Sequence, residues 1–436
     1  MEKNTNTDVI VVGAGPSGIA AALTVKRGGY TPVVIEKSSH YGTKNMFGGA
    51  FYLESLKELF PNSYNDMPFE RYLTKHNYVI LNDKNSLEIS YTKDSKSSIS
   101  VYRKNIDSKM VQEAKKEGVY FAHDTLVVDL IIENKKIKGV RTENNEEIYA
   151  PIVIVAEGFN SLLLNKTGLK KTTEPDEAIL GVKEVIKLSN DVINQRFNLK
   201  GDEGAVYEFF GGLNKNDEDV PLGMGFLYTF KNNVSIGVGI SMESLKRNKI
   251  RPYEYLDRLK NNEFVKRLIE GGEVIEYSAH SIPEGGYKKL PKLYHDGCLL
   301  VGDCANLVDS VHFEGTNLAI KSGILAGETA VEALNKKDYG ENVLKNYKKK
   351  LYKSFVISDL KTYKSVIETL FKRRKSVFSY YPKKIGEFFD IFTNADNTPK
   401  KDKYRRFMFS FIKERRFKDI LGDVISFVKC ILEAII

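Results

Sequence analysis

Cysteine is nearly missing from this chain. Cys298, Cys304 and Cys430 are the only three in 436 residues, too few for a disulfide framework and in keeping with a reducing cytosol. They also fall short of the closely spaced set of cysteine ligands that an iron–sulfur cluster takes. No uncharged apolar run approaches the roughly 20 residues that span a bilayer. The opening MEKNTNTDVIVVG lacks the charged-then-apolar pattern of a secretion signal. No ligand spacing predicts a metal site. Internal repeats, low-complexity linkers and sequence-specific DNA- or RNA-binding motifs are missing as well, so nucleic acid is not an expected partner.

What the chain does contain is ordinary for a globular protein. With 42% hydrophobic and 28% charged residues, disorder is excluded, and the length leaves room for two or three domains. The formal net charge of +9 is unevenly spread. The run KKDKYRRFMFSFIKERRFK, from Lys400 to Lys418, crowds basic residues among aromatics, a composition suited to an anionic lipid surface or an acidic protein partner.

The first segment, DVIVVGAGPSGIAAALTVKRGGYTPVVIEK, reads as strand, tight turn, helix, strand. Asp8 to Val12 is an apolar run too short for a helix, Ile19 to Val25 has helical apolar spacing, and Pro32 to Ile35 returns as a strand. Short strands are expected near Asn77 to Leu81 and Leu87 to Tyr91, then a helix over roughly Ile106 to Glu117. Residues 119–155 read as successive strands. Residues 176–280 alternate strands with one helix near Pro252 to Glu270, and beyond Leu334 the chain reads as largely helical.

The strongest motif is Gly13-Ala14-Gly15-Pro16-Ser17-Gly18. Gly13 permits the turn, Gly15 lets a pyrophosphate approach the backbone, and Gly18 allows close helix–strand packing. The helix start then offers free N–H donors and positive potential. Glu36, at the end of the second strand, is placed to accept the ribose hydroxyls of an adenosine and would repel a 2′-phosphate. Three later segments extend the set. Arg103 lies between a strand and a helix, with Asp107 beside it. The strand IVIVA ends on Glu157-Gly158, and CLLV ends on Gly302-Asp303 ahead of a helix opening near Gly315. Free N–H groups of Gly315, Thr316 and Asn317 would favour negative charge on a bound ring.

Taken in order, these motifs resemble glutathione-reductase-type FAD proteins of the hydroxylase and geranylgeranyl-reductase group. GTKNMFGGAFY (42–52), EYSAHSIPEGGYKKLPKLYHDGCLLVGD (276–303) and EGTNLAIKSG (314–323) narrow the likeness to the FixC and electron-transfer-flavoprotein:quinone oxidoreductase family. The resemblance implies an α/β fold: a Rossmann-like FAD-binding domain, an inserted β-sheet substrate (quinone) domain and a helical C-terminal region. The expected division is 1–75, 98–170 and 277–340 for FAD, 76–97 and 171–276 for the substrate, and 341–436 for the helices.

The resemblance further implies FAD contacts from Gly13, Gly15, Ser17, Gly18, Glu36, Lys44, Gly48, Gly49, Arg103, Val127, Glu157, Gly158, Asp303, Gly315, Thr316 and Asn317. Family members often have Asp or Thr where this chain has Glu157. His312 is a weak candidate for a catalytic proton carrier. The activity implied is electron transfer from an electron-transfer flavoprotein to a membrane quinone, as a FixC-type subunit of an electron-bifurcating complex. Its partners would be FixA/FixB-like flavoprotein subunits and a small FixX-like ferredoxin, because the cysteine-rich ferredoxin-like domain of single-chain relatives is not found here.

Reduction of isoprenoid double bonds, as in geranylgeranyl reductases, and a non-catalytic FAD-bearing scaffold are the alternatives. The helical apolar spacing of Ile420 to Ile436 and the basic stretch before it suit a helix lying in a lipid interface. A cytoplasmic protein held peripherally on the inner face of the cell membrane is the expectation.

Overall fold

A computed structural model describes residues 7–42, 49–216 and 218–435. The chain divides into two compact units. The first comprises Met1–Tyr72, Lys96–Ile179 and His280–Lys361; the second comprises Leu73–Ser95, Leu180–Ala279 and Thr362–Ile436.

At the centre of the first unit is a six-stranded sheet in the order Tyr294–His295, Cys298–Leu300, Ile152–Val155, Val9–Val12, Pro32–Ile35, Tyr120–Ala122. All neighbours are parallel except the two-residue edge strand Tyr294–His295. Its central strands are buried at nearly every residue, which is why they read as continuous apolar runs without alternation. The helices Pro16–Arg27 and Thr316–Lys336 pack against each other across small residues. A Cβ on Gly323 would fall 2.1 Å from the Ser17 carbonyl oxygen, and one on Gly327 would fall 2.7 Å from that of Ala21. The strands Val127–Glu133, Lys136–Thr142 and Glu147–Tyr149 form a separate antiparallel sheet.

The second unit is built on an antiparallel sheet ordered Glu273–Pro283, Ala178–Lys187, Asn233–Ser241, Gly223–Thr229, Glu203–Gly211, Arg71–Leu81, with Ser86–Thr92 also paired to the last. One face is closed by helices Asn190–Phe197, Pro252–Asn261 and Glu263–Ile269, which bury Phe197, Tyr255, Leu259 and Val265 against Val79, Phe209, Leu227 and Ile236. The single helix expected near 252–270 is therefore two. Asn262 has extended backbone, and its side chain accepts the Phe264 N–H to start the second helix, as an N-cap asparagine does.

Helices fill the chain from residue 316 onward, including a π-helical turn at Ser376–Tyr380. In the second unit the last three, Tyr381–Thr393, Lys400–Glu414 and Phe417–Ile435, invert the usual distribution of polarity. Asp423 is fully buried between Arg415 at 2.8 Å, Arg373 at 3.3 Å and the Tyr381 hydroxyl at 2.8 Å. Lys384, also buried, donates to Glu387, Glu414 and Ser410. The outer faces carry Phe388, Phe392, Met408, Phe409 and Ile412. On the last helix, Phe417, Leu421, Val424, Ile425, Val428, Ile431, Leu432 and Ile435 are all exposed. Among the described residues no helix is long and apolar enough to cross a membrane.

Candidate functional site

The glycine turn is shaped by close backbone approach. Gly13 has φ +106°, and a Cβ there would lie 2.4 Å from the Ala156 carbonyl oxygen. Gly18 meets the Gly13 carbonyl at 2.0 Å in the same sense. Gly15 is different: nothing lies within 4 Å of where its Cβ would be. It caps the helix Pro16–Arg27 without a side-chain hydrogen bond, so the first-turn N–H groups face open space.

Three chain segments converge on this turn. The Glu36 carboxylate accepts the Ala14 N–H at 2.9 Å and the Ser38 N–H at 2.8 Å, which locks it beside the glycine loop with lone pairs still available. Ala156 brings in the strand end Glu157-Gly158. Gly302, at φ +64°, has Ser17 Oγ 2.7 Å from its Cβ position and donates its N–H to Ser322 of the late helix at 3.0 Å. Ser17, Gly302 and the late helix are thereby joined.

Around Asp303 the charges are balanced. Burial pushes its carboxyl above the usual range, and His280, Arg103 and Lys170 hold it back. Arg103 forms a two-pronged ion pair with the fully buried Asp107, both contacts at 3.0 Å, so its fork is oriented in advance. Burial lowers His280 below the ordinary imidazole value in spite of Asp303. Lys170 is buried and donates to Ser161 Oγ at 3.1 Å and Asn306 Oδ1 at 2.9 Å; burial lowers it too, opposed by Cys304, Glu157, Asp303 and Glu177. His280 lies within the stretch 276–303 but no motif singles it out, and Lys170 lies outside the motifs altogether.

Glu157 turns its carboxylate to the N–H groups of Leu163 and Leu164, both at 3.0 Å, opening the short helix Leu162–Lys166. Burial raises its pKa while those two bonds and the nearby lysines pull it down. Gly158, at φ +76°, faces open space, as does Gly49 at the start of the strand Gly49–Tyr52. That strand pairs with Ser98–Val101, which leads directly to Arg103. Val127 begins a strand of the separate antiparallel sheet, opposite Thr142. Lys44 and Gly48 lie outside the described residues.

At the late helix, Gly315 is an N-cap with no side-chain bond and only Val308 as close as 4.0 Å to its Cβ position. Asn317 is buried; its amide donates to Glu314, and its Oδ1 has no partner. The preceding loop is closed by paired backbone bonds between Asp309 and Glu314. Asp309 accepts the N–H groups of Val311 and His312 and holds Nδ1 of the half-exposed His312 imidazole at 2.8 Å. Behind the loop, burial chiefly, and Asp309 secondarily, push Glu284 up to about 7, opposed by Ser310.

Two uncapped helix starts, three glycines open to space and an unpartnered buried amide oxygen form a cradle for a phosphate-bearing, ring-ended cofactor, and FAD fits it. Residues 8–169 match the family described as FAD dependent oxidoreductase. Residues 179–282 match ETF-QO, ubiquinone-binding, and residues 367–432 match the ETF-QO/FixC family C-terminal domain. The chain is 36% identical to Protein FixC of Bradyrhizobium diazoefficiens over 97% of this chain and 98% of the relative. It is 31% identical to a probable electron transfer flavoprotein-quinone oxidoreductase of Escherichia coli, over 96% and 97%.

Among solved structures, a geranylgeranyl bacteriochlorophyll reductase-like protein from Thermoplasma acidophilum has TM-score 0.72 at 21% identity, covering 94% of this chain and 98% of that one. The flavin-dependent brominase Bmp2 has TM-score 0.66 at 14% identity, covering 94% and 100%. At such identities the likeness is one of fold.

Glu284 gives a pH signature. Its pKa rises from 4.5 unfolded to about 7 folded, so between those values the folded state holds the extra proton and stability falls as pH rises. Glu284→Gln removes that loss, worth up to about 3 kcal/mol. Thermal scans of the flavin-free protein at pH 5 and pH 8 should show a smaller drop in Tm for the variant than for the wild type. Parallel drops would contradict the assignment.

Proposed function

The chain belongs to the ETF-QO/FixC family of FAD-dependent oxidoreductases, and from that premise we propose that it passes electrons from a flavoprotein or ferredoxin-like partner, through its FAD, to a membrane quinone. In this reading it is the FixC-type subunit of an electron-bifurcating assembly, with FixA/FixB-like and FixX-like proteins as partners. Its place is the inner face of the cell membrane. The observation that carries the reading is the order of matches along one chain: FAD-binding residues, then residues matching the ubiquinone-binding family, then the ETF-QO/FixC C-terminal family.

Each part of the cradle has a task in this reading. The N–H groups after Gly15 take the pyrophosphate, with Gly13, Ser17 and Gly18 setting their geometry, and Glu36 takes the adenosine ribose. Arg103 and Asp303 face the ribityl and phosphate oxygens. In this reading Gly49, Val127, Glu157 and Gly158 line the cofactor. Gly315, Thr316 and Asn317 favour negative charge at the edge of the ring. His312, oriented by Asp309, exchanges protons with water. FAD, when bound, supplies the means to take electrons as a pair and hand them on singly or together.

The open position of Gly15 supports a contrast between two variants. Gly15→Ala should leave thermal stability of the flavin-free protein unchanged and weaken FAD binding about tenfold or more, read by flavin fluorescence titration. Gly13→Ala should instead lower stability itself, because its Cβ has no space.

Membrane attachment is supported by the inverted polarity of the last helices. Eight apolar side chains of Phe417–Ile435 are exposed, with the basic run of Lys400 to Lys418 next to them; each basic residue near anionic headgroups contributes about 1 kcal/mol. Full-length protein should float with anionic liposomes, and V424E combined with I431E should abolish flotation without altering the fold. Equal flotation of both would defeat the attachment.

The reading as a whole is tested by supplying electrons to purified, FAD-loaded protein from an electron-transfer flavoprotein or a chemical reductant. Reduction of a short-chain quinone analogue is expected. Flavin that is reduced but cannot be reoxidised by any quinone would overturn it.

A further inference from the structure

The sheet of the second unit has two unlike faces. Opposite the helix-covered face, it presents aromatic and apolar side chains. Glu208 sits among them, paired in register with Phe226 on the next strand, where Val206 pairs with Tyr228. Phe226 and Tyr228 lie with ring centroids 5.6 Å apart. On the following strand, Gly237 is opposite Phe226, and a Cβ there would fall 2.4 Å from the ring. The tip of the phenyl ring therefore takes the space that a side chain at Gly237 would fill. Ser235, opposite Tyr228, is fully buried with a hydroxyl that has no partner.

Glu208 is chemically out of place here. Three other largely buried acids of this unit are paired: Glu184 with Lys260, Asp219 with Arg258, Asp423 with Arg373 and Arg415. Burial is the sole influence on Glu208, and it pushes the carboxyl up to about 7. The groups facing it are Tyr78, with His76 two residues along the same strand face, and Tyr228 from the other side. Burial first, then Glu208, raises both tyrosines, while burial lowers His76. Lys183, fully buried on the far side of Gly237's strand, has its Cβ beside Gly237. A half-buried acid without a counter-ion on an aromatic face costs stability and adds no structural contact.

We propose that Glu208 is the acid that protonates a quinone oxygen as a quinone ring is reduced against this face of the sheet. The proposal rests on the quinone reading above and names the residue that would serve it. A flat conjugated ring with carbonyl oxygens suits a face of aromatic side chains that also carries a protonated carboxyl group. Reduction to the quinol takes two electrons, from the reduced cofactor, and two protons. One new O–H bond forms with the Glu208 proton, and the carboxylate left behind recovers a proton from water. The other quinone oxygen is protonated from water.

The test compares FAD-loaded wild type, E208Q and E208D, each reduced chemically and then reoxidised by a short-chain quinone or by ferricenium, which accepts electrons alone. In the wild type, the quinone rate should fall as pH rises through about 7. E208Q should lose about 100-fold or more at pH 6 and show no such fall, while its ferricenium rate stays unchanged; E208D should retain part of the quinone rate. An E208Q that keeps the wild-type quinone rate and pH dependence, or that loses both acceptors equally, overturns the role of Glu208. A wild type that reduces ferricenium but no quinone overturns the quinone reading instead.

Discussion

A missing methyl group governs the dinucleotide unit. Where Gly13 passes Ala156, where Gly18 passes Gly13 and where Gly323 passes Ser17, the space a side chain would fill is already taken by a carbonyl oxygen. Only there can the first helix lie close enough to both the strand ends and the late helix. Once it does, the Glu36 carboxylate reaches Ala14, Gly302 reaches Ser322, and two helix starts point uncapped into the same unit. The electrostatic character of the cradle follows from backbone packing rather than from any one charged residue. Asp303 can then sit partly buried among His280, Arg103 and Lys170 without an ion-pair partner of its own.

What was legible in the sequence was what local chemistry determines. The parallel sheet announced itself through short runs such as VIVV and IVIV, because strands covered on both faces have no polar positions to display. The glycine spacing and the acid-tipped strands identified the FAD fold class for the same reason. Burial of single charged residues could not be read. Lys170 lies in a basic stretch and looks solvated, yet the fold closes over it and supplies Ser161 and Asn306 as acceptors from distant positions. Glu284 sits in a glycine-rich turn signal, yet the fold buries it. The break at Asn262 was missed because the apolar spacing continues across it, while the cap depends on one side-chain bond.

The C-terminal helices show a related limit. Periodicity established that Phe417–Ile435 is amphipathic, but an amphipathic helix has two faces and the pattern does not say which one the protein keeps. The fold keeps the polar one. Asp423 gathers two arginines and a tyrosine, and Lys384 gathers two glutamates and a serine. Ion pairs of this kind are costly to desolvate and strongly destabilising to break singly, so the interior is specific even though it is not oily. Sorted this way, the helices leave their apolar surface available.

Neither unit is a continuous length of chain: the backbone passes from one to the other five times, three of them within the strands Arg71–Leu81, Ala178–Lys187 and Glu273–Pro283. The timing of biosynthesis follows from this. Val9–Val12 leaves the ribosome early, yet Cys298–Leu300, two places along the same sheet, is made nearly 290 residues later. At about 5–20 residues per second the nascent sheet waits roughly 15–60 s with one edge unfinished. Through that interval a hydrophobic ladder stays open to other chains, and the demand on holding chaperones is set by topology long before any cofactor arrives.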